Sequence, residues 1–329
     1  MAVTPQTNTT LADIAEIMRS NDDFVICGHV SPDGDCLGSQ LTLWHALKAM
    51  GKRATCVLVR DEPVGVSLNW MPGVNDFVPA ASYTGACGVF VGVDVPTRER
   101  IGVAAELLDR ASTSITVDHH AAEVRMCEHA YIDPDSASAS ILVWDLVKLL
   151  CDKPPLESAL CAYIGVMTDT GGFRFQNSDE RAFSAASELI AYGVDPALAA
   201  TSVFQNRTMA SLKLEAAVID RMRVFADGEA ALSWISSDDM ERFGAIKADA
   251  EPLIDAIRAL HGTRLACMLR EQDGKVRGSL RSKDATDVAA LARELDGGGH
   301  RSAAGFTLDM PLDEAVEFMM DKMIGLLGR

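Results

Sequence analysis

The chain has 329 residues, with 30 Lys+Arg against 47 Asp+Glu, for a formal net charge of −17. At about 150 residues per domain this length implies two domains, and 48% apolar with 23% charged residues supplies ordinary cores and excludes a disordered chain. The acid excess argues against a protein that coats long nucleic acid or an anionic membrane; a small anionic substrate stays open, because local charge and bound cations decide that.

Residues 1–10 carry no basic n-region and no apolar h-region, so no secretory signal is expected. No apolar run approaches the roughly 18 residues that span a bilayer, which makes the cytoplasm the expected location and a membrane partner unexpected. Cys27, Cys36, Cys56, Cys87, Cys127, Cys151, Cys161 and Cys267 form no CxxC pair, and most lie in apolar stretches. They read as reduced, buried thiols, against a zinc ribbon or a disulfide scaffold.

In chain order, Phe24-Val25-Ile26-Cys27-Gly28-His29 predicts a buried strand that breaks at the turn formers Ser31-Pro32-Asp33-Gly34-Asp35. A helix is expected from Cys36 to Met50, on the stripe Leu37, Leu41, Trp44, Ala46 and Leu47, closed by Gly51. Strands at Ala54–Val59, Gly88–Asp94 and Thr113–Asp118 follow, with a helix at Arg98–Asp109, after which the strands are expected to stop. This alternation predicts an α/β domain with a mostly parallel sheet and helices on both faces. Successive helices are expected from Ala137 to Tyr192, interrupted at Lys153-Pro154-Pro155 and Thr170-Gly171-Gly172.

Gly193-Val194-Asp195-Pro196 reads as a terminator, which puts the first domain at 1–193 and a helical linker at 194–222. A smaller α+β domain, 223–329, is expected from hairpins turning at Asp227-Gly228 and Asp273-Gly274, a helix at Asp287–Leu295, a loop at Gly297-Gly298-Gly299 and a last helix at Leu312–Leu327.

Three predicted strands end in a potential metal ligand: His29, Asp94 and Asp118. Ligands of open parallel sheets bind beyond the carboxyl ends of the strands, so these side chains aim at one place. Asp33 and Asp35 sit in the first loop, His119 and His120 follow Asp118, and Asp169 follows another apolar segment. Taken singly, Asp33-Gly34-Asp35 is a turn and a helix cap. An EF-hand fails because Leu37 and Trp44 stand where oxygen ligands belong. A phosphatase with an aspartyl nucleophile leaves His29, Asp94 and Asp118-His119-His120 unexplained, and no P-loop occurs. A carboxylate and imidazole set without thiolate suits Mn²⁺, Mg²⁺ or Co²⁺. There are more candidate ligands than one ion takes, so two ions are expected, the device of phosphoester hydrolysis.

Together, Gly28-His29-Val30-Ser31-Pro32-Asp33-Gly34-Asp35, Val93-Asp94, Asp118-His119-His120 and Thr168-Asp169-Thr170-Gly171 resemble the four motifs of the DHH phosphoesterase superfamily, in that family's order. Gly297-Gly298-Gly299-His300 resembles the glycine-rich signature of the DHHA1 domain that follows in one branch. In size and layout the chain is most similar to the oligoribonucleases (nanoRNases) that also dephosphorylate 3′-phosphoadenosine 5′-phosphate. The resemblance implies that His29, Asp33 and Asp94 hold one Mn²⁺ and that Asp35, Asp94, His119 and Asp169 hold the other, with Asp94 bridging. It implies that Asp118 orients an imidazole, that His120 contacts the scissile phosphate, and that a cleft between the domains takes the substrate. Arg281, Gly298, Gly299, His300, Arg301 and Ser138 are then the implied substrate contacts. From Arg264 to Arg301 there are eight basic residues against six acids, a local +2.

The expected function is hydrolysis of short single-stranded RNA to 5′-mononucleotides, with phosphatase action on 3′-phosphoadenosine 5′-phosphate. No long duplex nucleic acid is an expected partner, and a homodimer is the one protein assembly considered. The alternatives are a phosphodiesterase acting on linear or cyclic dinucleotides and, from another class, a non-catalytic nucleic-acid-binding adaptor, which would be expected to have lost ligands that are all present here.

Overall fold

The structure is a computed structural model that describes residues 6–121 and 124–328. Residues 1–5, on which part of the expectation of no leader rests, lie outside the described residues. Two compact units divide the chain, Met1–Asn206 and Arg207–Arg329.

The first unit runs α1 (Leu11–Ser20), β1 (Phe24–Cys27), α2 (Gly34–Ala49), β2 (Ala54–Leu58), β3 (Val78–Pro79), β4 (Val89–Val93), α3 (Ala105–Arg110), β5 (Thr113–Asp118), β6 (His129–Ile132), α4 (Ala139–Leu150), α5 (Leu156–Asp169), α6 (Glu180–Tyr192) and α7 (Pro196–Phe204). Its six strands pair in the order β3-β2-β1-β4-β5-β6, and every pairing is parallel. Alternation along β1 puts Phe24 and Ile26 into the core under α1, α2, α4 and α5, while Val25 and Cys27 join Phe90, Ile101 and Leu107 on the other face. The chain leaves β1 on the β2 side and returns on the β4 side, so the gap between β1 and β4 is the point where strand order reverses.

Two local expectations for this unit change. The strands do not stop at Asp118, because β6 continues the sheet beside β5; His129-Ala130-Tyr131-Ile132 is too short to show a period. The helix expected over Arg98–Asp109 is a 3₁₀ stretch followed by α3, broken at Gly102, whose φ is +47°. The first turns of α2 are buried all round, and a Cβ at Gly38 would stand 2.7 Å from the Cys161 carbonyl of α5. Small residues there let the two helices cross closely.

The second unit runs α8 (Met209–Asp220), β7 (Arg223–Phe225), β8 (Ala230–Ile235), α9 (Ser237–Phe243), α10 (Leu253–Arg258), β9 (Leu265–Gln272), β10 (Lys275–Ser282), α11 (Val288–Glu294), β11 (Gly298–His300), β12 (Ala303–Leu308) and α12 (Leu312–Leu326). Its mixed sheet has the order β11-β12-β10-β9-β8-β7, antiparallel throughout except for the β8–β9 pair. One face packs on α11 and α12; α8 and α10 cover the other at β8 and β9. No helix among the described residues is long and apolar enough to cross a membrane.

Of Gly297-Gly298-Gly299, expected as a loop, Gly298 and Gly299 instead begin an edge strand. A Cβ at Gly297 would lie 2.2 Å from the Gly305 carbonyl, and one at Gly299, where φ is +139°, would lie 2.5 Å from that of Ala303. These glycines permit close strand approach, a use the sequence does not distinguish from a loop.

Candidate active site

The reversal point brings together what the sequence spreads over 141 positions, from His29 to Asp169. His29 lies just past β1, Asp94 just past β4, and Asp118 ends β5, with His119 and His120 next. Asp33 caps α2, accepting the Asp35 and Cys36 amides on one carboxylate oxygen at 3.1 and 3.0 Å, while the other lies 3.8 Å from His29 Nε2. The cap reading and the ligand reading therefore both describe Asp33.

Asp94 stands at the centre. Its Oδ2 is 3.4 Å from His29 Nε2, and its Oδ1 is 3.3 Å from His119 Nε2 and 3.5 Å from His120 Nδ1. His119 Nε2 also lies 3.7 Å from Asp35 Oδ2 and 3.8 Å from Asp169 Oδ2. The Asp94 backbone is in the left-handed region, φ +53°, which is unusual for a non-glycine residue and aims the carboxylate inward.

Both buried imidazoles are oriented by carbonyls. His29 Nδ1 donates to the Val30 carbonyl at 2.9 Å and His119 Nδ1 to that of Ser136 at 3.1 Å. With those protons placed, each Nε2 lone pair faces carboxylate oxygens, an arrangement that calls for a cation between them. Burial opposes charge on His29, yet the contact with Asp94 and the Asp33 charge pull it up to about 9; His119 is raised for the same kinds of reason. Burial would also raise Asp94, but the His119 and His29 imidazoles beside it hold its carboxyl well below the usual range. Burial pushes Asp35 up, reinforced by the Asp94 and Asp169 charges, and burial lifts Asp169 to about 7 despite His119. Asp94 Oδ1 is buried without a hydrogen-bond partner among the described residues. The donor set fits divalent cations: hard oxygens and imidazole nitrogens converging on shared space.

Asp118 lies against an imidazole, that of His120. Its Oδ1 accepts His120 Nδ1–H at 2.9 Å and the His119 amide at 2.8 Å, so the imidazole it orients is His120, while Ser136 orients His119. Asp35 is fixed by the first amides of α4, from Ala139 and Ser140 at 2.7 and 2.9 Å, an anion at a helix N-terminus. Sequence reasoning did not single out these main-chain groups; the serine-rich stretch before α4 was their only signal. Ser138 is placed as the buried N-cap of α4, accepting from the Ile141 amide, and not as an exposed contact.

In the second unit, β10 turns Val276, Gly278, Leu280 and Ser282 inward and Arg277, Ser279 and Arg281 outward. Arg281 pairs with Ala303 of β12, and His300 of β11 pairs with the same residue, so Arg281 and His300 occupy one row across three strands. Gly298 opens onto space, with nothing within 4 Å of a Cβ built on it. Arg301 is placed otherwise: its Nε donates to the Ala285 carbonyl at 2.9 Å.

Strand ends that gather carboxylates and imidazoles around one point, on a parallel sheet followed by a smaller α+β unit, are the build of a metal-dependent phosphoesterase. Residues 23–166 match the DHH family, N-terminal domain, and residues 231–327 match the DHHA1 domain. The chain belongs to the DHH family of phosphoesterases. It is 30% identical over 311 residues to the bifunctional oligoribonuclease and PAP phosphatase NrnA of Thermus thermophilus, covering 94% of this chain and 91% of the relative. It is 25% identical to the cyclic-di-AMP phosphodiesterase PdeA of Listeria monocytogenes, covering 92% of this chain but 47% of that one. Among solved structures, an exopolyphosphatase-related protein from Bacteroides fragilis matches with a TM-score of 0.87 at 28% identity, covering 97% of each chain.

Proposed function

We propose that the protein hydrolyses short oligoribonucleotides to 5′-mononucleotides and removes the 3′-phosphate of 3′-phosphoadenosine 5′-phosphate, with two Mn²⁺ ions. The observation that carries this reading is Asp94, which faces His29 with one oxygen and His119 with the other. His29, Asp33 and Asp94 would hold one cation; Asp35, Asp94, His119 and Asp169 would hold the second. Such a pair supplies a water nucleophile and neutralises the phosphoryl oxygens.

The chain's own groups do the rest. His120, held through Nδ1 by Asp118, turns its Nε2 edge to the scissile phosphate and delivers a proton to the leaving 3′-oxygen as the P–O bond breaks. The proton of the attacking water passes to solvent. Asp35, locked by α4, keeps its position as the substrate's charge arrives. Arg281 and His300, on one row of the second unit's open sheet face, bind phosphate and nucleotide, and Gly298 leaves room for the chain to lie against strand backbone. The names of the relatives point to substrates of this size, and the net charge of −17 disfavours long polyanions.

The cyclic-dinucleotide relative makes a linear dinucleotide the second substrate to examine. The test is a panel of 5′-labelled dinucleotides to 20-mers, 3′-phosphoadenosine 5′-phosphate, a cyclic dinucleotide and pyrophosphate, each with Mn²⁺. The proposal expects 5′-mononucleotides, fastest from the shortest RNAs, and phosphate from the bisphosphate. Hydrolysis of pyrophosphate alone, or of nothing, overturns it.

A further inference from the structure

Cys36 is the one thiol of the chain set among the proposed ligands. It occupies the first turn of α2, beside Asp35, and is fully buried. Its sulfur, a ring nitrogen of His29 and a carboxylate oxygen of Asp94 all lie within 4.8 Å of one another. The sulfur is held in place: a Cβ at Gly28 would come within 2.2 Å of it, and the Gln40 amide donates to it at 3.7 Å. Asp94 Oδ2, 3.4 Å from His29 Nε2, is the carboxylate oxygen on this side of the site, while Oδ1 faces His119 and His120.

We infer that Cys36 makes the His29 side of the site a binding place for a thiophilic divalent cation, Zn²⁺ or Cd²⁺, held by His29, Asp94 and the Cys36 thiolate, in competition with the catalytic ion. The inference rests on the reading of His29 and Asp94 as metal ligands. Thiolate selects soft ions where carboxylate and imidazole alone select Mn²⁺. Zinc–donor bonds of about 2.0–2.3 Å place tetrahedral donors about 3.5 Å apart, so groups now within 4.8 Å of one another close up by at most about 1.3 Å on binding. As the S–M bond forms the S–H bond breaks and its proton leaves to solvent; the Gln40 amide then donates to the charged sulfur, as outer-shell donors do. Pulling His29 and Asp94 toward sulfur takes Asp94 out of its place between two imidazoles, and the thiophilic ion inhibits.

The full chain, stripped of metal, is titrated with Cd²⁺ and followed by the thiolate-to-cadmium charge-transfer absorption. The expected result is a band that saturates at one equivalent and is erased by excess Mn²⁺. It should be lost in Cys36→Ser, with Cd²⁺ affinity down about tenfold or more, and kept in Cys27→Ser, a buried control in the same domain. Mn²⁺ binding is measured separately by electron paramagnetic resonance. Mn²⁺ binding without a Cd²⁺ band, a band that survives Cys36→Ser, or one that excess Mn²⁺ does not displace overturns this inference alone; a wild-type chain that binds no Mn²⁺ overturns the ligand reading beneath it. If Cys36→Ser fails to fold, the competition in wild type decides the question.

Discussion

At the scale of single residues, the site is a group of buried acids and imidazoles that share too little positive charge. The metal-free protein relieves this with protons, which is why His29 sits at about 9 instead of 6.5. Stability from the protonated His29 is therefore complete below about 6.5 and is lost as pH rises through about 9. The thermal midpoint of the metal-free chain should fall across that window. In the proposed site Mn²⁺ would displace those protons, so its apparent affinity should rise over the same window. Calorimetric titrations at several pH values check this, and an affinity that stays flat with pH would contradict it. In the second unit, Gly299→Ala should destabilise by about 1–3 kcal/mol, since the residue has positive φ and stands against the Ala303 carbonyl. Gly298→Ala should leave the thermal midpoint unchanged and raise KM, because its added methyl enters open space on the proposed binding face. Equal melting of the two variants would remove the distinction drawn between these glycines.

At the scale of elements, the site depends on the meeting of α2, α4 and α5. Asp35 reaches from α2 to the first amides of α4, and Gly165 of α5 lies directly against that contact. A Cβ at Gly165 would stand 1.9 Å from Ser140 Oγ and 2.8 Å from Asp35 Oδ1. Gly165→Ala should therefore cost about 1–3 kcal/mol of stability and weaken Mn²⁺ binding, with the metal-free melting temperature and metal titration as readouts. Full Mn²⁺ affinity in a folded Gly165→Ala chain would show that Asp35 does not need this packing. Most of this level was legible in the sequence. His29, Asp94 and Asp118 announce themselves because apolar runs end in turn formers or acids, and the cap of α2 follows from Asp33 among its turn formers. What stayed hidden has physical causes. β3 and β6 have two and four residues, too few to show a period. Glycine in β11 serves close strand contact but signals a loop, and the Ser136 carbonyl that orients His119 belongs to a backbone group that no residue type encodes.

At the scale of the whole molecule, the −17 charge disfavours long polyanions. Carboxylates clustered at the reversal point account for part of that acidity, and cations held there would invert the sign where phosphate must bind. With few basic contacts to the phosphate chain, the affinity for RNA should depend weakly on salt: two neutralised phosphates on a single strand give a slope near −1.4 in log affinity against log salt. A slope several times steeper would reveal an extended basic track that this account does not contain. Length matters in the same way, and extending a substrate beyond a few nucleotides should not lower KM.

If Asp94 serves both halves of the site, as proposed, turnover of a 5′-labelled diribonucleotide by Asp94→Asn with saturating Mn²⁺ must collapse. Carboxamide nearly preserves shape while removing the charge that faces His29 and His119. The predicted result is a fall in kcat of at least about 100-fold, more than the loss of an outer-shell partner causes, in a protein that remains folded; activity within tenfold of wild type would contradict the account.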